Sequence, residues 1–151
     1  YEVSNFAQEG WVSRHNLGYW TGAEYLGVGL SAHSYIGGER FWNVRDIETY
    51  MQRVECNISP EDGRDRIDVQ TARRERFWLG LRTSQGVLLS DKELEILKEH
   101  SYINRCLEAK YLTIEKDRVL LAEKGWNIAD GLAVELTDIL EERSEVVTQY
   151  V

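Results

Sequence analysis

Apolar residues recur with different periods along this chain, and each period predicts a different element. Tyr1-Glu2-Val3-Ser4-Asn5-Phe6 alternates, which predicts a β-strand already in progress at the first residue. Tyr25 to Leu30 is apolar almost throughout, the pattern of a strand covered on both faces as in a parallel sheet. Asn43 is placed to cap a helix, with Asp46 as an imperfect capping-box partner, and Ile47, Tyr50, Met51 and Val54 follow at i, i+3, i+4 and i+7. Asn57 to Gly63 gathers turn formers around the only proline, Pro60, and marks the boundary between two units.

Beyond it, Asp68 to Arg82 predicts a helix with Val69, Ala72, Phe77, Leu79 and Leu81 as its apolar surface, ended near Gly86. Ser90-Asp91-Lys92-Glu93 is a capping box that opens a second helix carrying Leu94 and Leu97. A third starts near Ser101, with Tyr102, Ile103, Cys106 and Leu107 on one face. Tyr111 to Ile114 and Arg118 to Leu121, separated by Glu115-Lys116-Asp117, form a hairpin. After Gly125 a last helix presents Trp126, Ala129, Leu132, Ala133, Leu136, Ile139 and Leu140 at helical spacing, and the tail beyond Glu142 is polar enough to fray. Helix, helix, helix, hairpin, helix is the order of a winged-helix domain.

Composition narrows the function. At 42% apolar and 29% charged residues, the chain is that of a globular protein able to bury a core. No run of about eighteen apolar residues and no signal-peptide pattern is present, which predicts a cytoplasmic protein without a transmembrane segment. The net charge of -8 is shared by both halves and disfavours nucleic acid as a partner. Cys56 and Cys106 stand fifty positions apart, read as free thiols, with Cys106 in the core. A chain that opens on a strand without an initiator methionine suggests a fragment, whose exposed edge could pair with a second copy in a dimer.

Candidate chemistry concentrates in Arg14-His15-Asn16-Leu17-Gly18-Tyr19-Trp20 and Tyr25-Leu26-Gly27-Val28-Gly29-Leu30-Ser31-Ala32-His33-Ser34. His15, read in a loop-like setting beside Tyr19 and Trp20, is either a backbone-bonded packing residue or an axial heme ligand with the rings over the porphyrin. His33 falls at the end of the apolar strand, where α/β sheets and barrels place ligands. Gly27 and Gly29 either let a nucleotide approach or simply make a turn. Arg40, beside Trp42 and Asn43, is a carboxylate partner or a solvated loop arginine. The helix expected at Ser101 carries Asn104, Arg105 and Lys110 but also Glu108, a mixed charge poorly suited to duplex DNA.

Tyr1-Glu2-Val3-Ser4-Asn5-Phe6-Ala7, Ser13 to Trp20, Tyr25 to Gly29 with Ala32-His33-Ser34, and Arg40 with Trp42-Asn43-Val44 resemble the C-terminal part of the HemW-type radical S-adenosylmethionine (SAM) proteins. Leu79-Gly80-Leu81-Arg82, Gly86-Val87 and Glu123-Lys124-Gly125 resemble the helical C-terminal domain of the same family. The discriminating motif is H-N-x-x-Y-W, complete at His15, Asn16, Tyr19 and Trp20, which separates the heme-chaperone branch from the oxygen-independent coproporphyrinogen III oxidases.

The resemblance implies an α/β (α+β) fold: the last strands and helix of a partial radical SAM barrel over residues 1–58, a linker over 59–66, a winged-helix-like domain over 67–142 and a polar tail over 143–151. It implies heme binding by His15, Asn16, Tyr19, Trp20 and Arg40, with heme iron at His15 as the sole metal contact. It also implies a S-adenosylmethionine-side role for Gly27, Gly29, Ala32 and His33. The implied partners are heme-receiving proteins and an N-terminal barrel portion that would hold S-adenosylmethionine and a 4Fe-4S cluster. The family's C-x-x-x-C-x-x-C motif does not occur in these residues, so no catalytic residue and no radical chemistry are assigned to them. Glu9 stands where a proline is common, and Leu30-Ser31 interrupts the glycine-rich turn. Ala122 replaces a capping Ser or Thr, a loss of about 1 kcal/mol. The alternatives are a fragment of a coproporphyrinogen III oxidase in porphyrin biosynthesis, and a winged-helix DNA-binding or protein-interaction module.

Overall fold

A computed structural model describes residues 1–148 as a mixed α and β protein with no closed barrel among them. They form two compact units, one of Tyr1–Gly22 with the stretch from Arg73 onward, the other of Ala23–Ala72.

In the larger unit, α1 (Arg14–Trp20) is followed by most of α3 (Val69–Leu81), which starts where the Asp68 carboxylate accepts the Thr71 N–H at 2.7 Å. β4 (Val87–Leu88), a short strand the apolar pattern does not predict, comes next, and α4 (Asp91–Glu99), α5 (Ser101–Glu108), β5 (Leu112–Glu115) and β6 (Arg118–Leu121) then follow in the expected order. The capping box is formed in both directions, Glu93 N–H to Ser90 Oγ at 3.3 Å and Ser90 N–H to Glu93 Oε2 at 2.9 Å. The strands make an antiparallel sheet in the order β4-β6-β5, with Val119 opposite both Val87 and Ile114.

The last helix begins later than its periodicity suggests. A 3-10 turn, Glu123–Ile128, comes first and leaves Trp126 45% exposed, so the continuous apolar face starts at Ala129 of α6 (Ala129–Thr148). Ala122 offers this turn no side-chain cap. α6 continues through the first residues of the expected polar tail, and 149–151 lie outside the described residues.

Phe77, Leu81, Leu97, Ile103, Leu112, Val119, Leu132, Leu136 and Leu140 are fully buried together, and Cys106 lies among them as a free thiol. Each large side chain in such a core contributes about 2 kcal/mol through burial.

The chain's first residues are not a strand. Glu2 turns the backbone back on itself, exchanging bonds with Asn5 (3.2 and 3.0 Å), and only Glu2 makes a bridge to Thr83. The local reason is the Glu2 carboxylate, which draws in the Ser4 N–H at 2.9 Å and Asn5 Nδ2 at 2.6 Å and thereby closes the turn.

The smaller unit is a three-stranded antiparallel sheet, β1 (His33–Ile36), β2 (Glu39–Asn43) and β3 (Glu61–Arg66), with α2 (Ile47–Glu55) between the last two. Gly37 and Gly38, at φ of 61° and 76°, make the two-residue turn that lets β1 and β2 pair with the strands' natural twist. The stretch expected as a linker is β3. It carries no apolar residue and is ordered by backbone pairing with β2 and by Arg64, which pairs with Glu39 and Glu61.

Tyr25 to Leu30 is neither a covered strand nor parallel. Tyr25 alone bridges Tyr35, antiparallel, while Leu26 and Val28 are 66% and 86% exposed. Asp46, not Asn43, caps α2: its carboxylate accepts the Thr49 N–H at 2.8 Å, whereas Asn43 ends β2 and donates from Nδ2 to the Gly29 carbonyl at 2.7 Å.

Candidate functional site

His15 stands on a helix rather than in the loop-like setting its neighbours suggest. The Ser13 hydroxyl accepts the Asn16 N–H at 3.3 Å to start α1, and the Thr21 hydroxyl donates to the Leu17 and Gly18 carbonyls at 3.0 and 3.3 Å to end it. Helical spacing then puts His15 and Tyr19 on one face, at i and i+4. The two side chains meet through His15 Nε2 and the Tyr19 hydroxyl at 2.9 Å, with the rings edge to face at 4.9 Å. His15 is exposed and Tyr19 is 40% exposed.

The neighbouring side of α1, about 100° round the helix, is fastened. Asn16 Nδ2 donates to the Tyr1 hydroxyl at 2.9 Å. The Arg82 guanidinium lies over the Trp20 ring, 5.1 Å from its centroid, and Arg82 Nε donates to buried Glu2 at 3.0 Å. Burial pushes the Glu2 carboxyl up, but bonds from Asn5, Ser4 and Arg82 and the Arg82 charge outweigh it and hold the group below the usual carboxylate range. Trp20 Nε1 is buried without an acceptor among the described residues.

The other candidates lie in the smaller unit. His33 opens β1 and faces Trp42 across the sheet, ring centroids 5.9 Å apart. Gly27 packs against that strand so closely that a Cβ would sit 2.1 Å from the His33 carbonyl oxygen, and its N–H donates to the buried Ser34 hydroxyl at 3.0 Å. Gly29 and Ala32 close a turn through the Ala32 N–H and the Gly29 carbonyl at 3.3 Å. The Arg40 guanidinium lies 5.7 Å from the Tyr35 ring centroid. Thus His15, Asn16, Tyr19 and Trp20 form one constellation on the larger unit, and Gly27, Gly29, Ala32, His33 and Arg40 belong to the smaller one.

Among the described residues no group of three or more His, Cys, Asp or Glu side chains could hold a metal ion, and no helix is long and apolar enough to cross a membrane. What α1 offers is one exposed imidazole beside the Tyr19 ring, and a single histidine is the kind of donor that can hold a heme iron.

No family model matches the chain. It is similar to the heme chaperone HemW of Bacillus subtilis (strain 168), 36% identical over 137 residues, covering 91% of this chain and 34% of that protein. The heme chaperone HemW of Mycobacterium tuberculosis (strain ATCC 25618 / H37Rv) is 33% identical over 132 residues, 87% of this chain and 33% of that protein. The chain belongs with the HemW-type radical SAM proteins, matching their C-terminal part. It spans about a third of the length of these curated relatives. Among solved structures it resembles the coproporphyrinogen III oxidase HemN of Escherichia coli in fold, with a TM-score of 0.50 at 17% identity over 76% of this chain and 28% of that one.

For this HemW-type chain, sequence reasoning found the motif residues but not those that hold them. Tyr1, Glu2 and Asn5 lie in the stretch read as a strand, and Arg82 is eighty positions from Glu2. Their signal was present in part, since Tyr1 to Phe6 and Leu79 to Arg82 both carry the family resemblance. Nothing local links the two.

Proposed function

We propose that this chain is the heme-ligating part of a longer radical SAM heme chaperone, with His15 as the axial ligand and delivery to heme-receiving proteins as its role. The single observation that carries the reading is the exposed His15 imidazole on α1, with Tyr19 one turn away and Trp20 braced from behind by Arg82. A ligand on a fixed helix but open to solvent suits loading and release better than a closed pocket would. Bound heme contributes the iron that takes the imidazole nitrogen; the chain orients that nitrogen and supplies aromatic surface.

The cluster and S-adenosylmethionine belong, on this reading, to a barrel portion outside these residues. Its surface is a natural partner for the apolar side of α2, where Ile47, Met51 and Val54 are exposed. The element order from α3 onward supports a winged-helix-like unit, and cytoplasmic residence fits free Cys56 and Cys106.

Titrating hemin into the encoded protein at its full length, and into its His15→Ala variant, tests this. We expect a Soret shift in the first and its loss or marked weakening in the second. An unchanged spectrum in the variant overturns the ligand assignment, and conversion of coproporphyrinogen by the reconstituted protein overturns the chaperone reading.

A further inference from the structure

We infer that the Tyr19 hydroxyl is a gate on His15, competing with heme iron for Nε2 and thereby keeping heme binding weak enough to reverse. The inference rests on the proposed heme-chaperone reading and adds a residue that lowers affinity from within the motif. A motif tyrosine that contacted the porphyrin would be expected to raise it.

The contact between Tyr19 and His15 Nε2, at 2.9 Å, is a full hydrogen bond. With the ring proton on Nδ1, the phenol O–H donates to the Nε2 lone pair. With the proton on Nε2, that N–H donates to the phenol oxygen. In both forms Nε2 is occupied. An iron atom bound there takes the same lone pair, so the bond to Tyr19 must break, the ring proton must sit on Nδ1, and the phenol hydroxyl must turn away from the imidazole; Tyr19 as a whole is 40% exposed.

The other ring nitrogen does not escape the competition. Nδ1 is bonded to the ring carbon that carries Cβ, and a porphyrin plane centred there would run into the side chain's own stem. A small ion could use Nδ1, with Tyr19 then accepting from Nε2 and strengthening the ligand. A flat macrocycle is directed to Nε2. The gate is also local: the phenol and the imidazole share one exposed side of α1, while Asn16 and Trp20, about 100° further round the helix, are tied to Tyr1 and Arg82.

Tyr19→Phe keeps the ring and removes only the hydroxyl. Hemin titration of the full-length encoded protein should then show half-saturation at a concentration about three- to tenfold lower than in the parent, the worth of one hydrogen bond no longer broken. Release, followed by capture in excess apomyoglobin, should slow by a similar factor. Weaker binding in Tyr19→Phe would mean the phenol supports the ligand, and unchanged binding would mean it does neither; each overturns the gate. His15→Ala separates this from the underlying reading. If it abolishes the Soret shift while Tyr19→Phe fails to tighten binding, only the gate falls. If His15→Ala binds hemin like the parent, the ligand assignment falls and takes the gate with it.

Discussion

The buried apolar cluster of the larger unit runs from Phe77 to Leu140 and draws on four helices, α3 to α6, and all three strands of its sheet, so that Leu97, Val119 and Leu136 have no exposed surface. Residues 23–72 have nothing comparable. Val44 is their one buried apolar side chain among the described residues, and Leu26, Val28, Ile47, Met51, Val54 and Ile58 are exposed. What holds the smaller unit is backbone pairing from β1 to β3, the glycine turn, the Asp46 cap and surface pairs such as Arg64 with Glu61 at 2.9 Å. A sheet of this size without a covered face is marginal in water. α2 is an amphipathic helix whose apolar side is left in solvent. The two units therefore carry different kinds of information: one is specified by its own buried side chains, and the other by backbone pairing and surface bonds.

The largest effect that tests this contrast is a matched pair of truncations. Leu136→Ala should cost about 3 kcal/mol in urea unfolding, because its methyl groups leave a cavity in a closed core. Val54→Ala, on the exposed side of α2, should stay within about 0.5 kcal/mol in the same 151-residue chain. Comparable losses for the two would break the comparison, by showing that α2 has a packed partner in solution.

A smaller effect is expected where the second unit is tight. Gly27→Ala would place a methyl carbon 2.1 Å from the His33 carbonyl oxygen, a backbone atom that cannot step aside without moving β1. The cost should be about 2 kcal/mol, read as faster amide exchange along β1 and β2 with exchange in α4 and α6 unchanged. Undisturbed β1 amides would mean that this close approach does not constrain the strand.

The same contrast governs what could be read in the sequence. The capping box at Ser90, the hairpin at 112–121 and, from Ala129 onward, the apolar face of α6 follow from local chemistry and are where the pattern puts them. β3 could not be found this way, because Glu-Asp-Gly-Arg-Asp-Arg has no apolar alternation and becomes a strand only through its pairing with β2. α1 was hidden by its seven-residue length and by Gly18 in its interior, a residue that costs a helix about 1 kcal/mol relative to alanine; only the Ser13 cap announced it. Tyr25 to Leu30 misled in the other direction, since an apolar run says that a segment should be covered but not by what. At the candidate site, His15 and Tyr19 were singled out as neighbours and by the resemblance, but not the helix that pairs them at i and i+4. The Glu2 and Arg82 brace was not legible, since no pattern in a single sequence pairs residues eighty apart.

That brace is the polar counterpart of the core and the smallest of the three effects. Glu2 is 2% exposed and accepts bonds from Ser4, Asn5 and Arg82, whereas the Arg64 pairs of the smaller unit sit at the surface, where screening and side-chain entropy leave little net gain. Because the folded protein holds the Glu2 carboxyl below its ordinary value of 4.5, ionised Glu2 adds stability that is fully present above that pH and is lost as pH falls through the lower, folded value. Glu2→Gln should therefore cost about 1 kcal/mol at neutral pH, and the gap between variant and parent should close as the medium is acidified through the lowered, folded value. Asp46, Glu61 and Glu93 are also held low, but they titrate alike in both proteins and drop out of the difference. A gap that stays constant from pH 7 to pH 3 would mean the loss comes from altered packing around residue 2 and not from its charge.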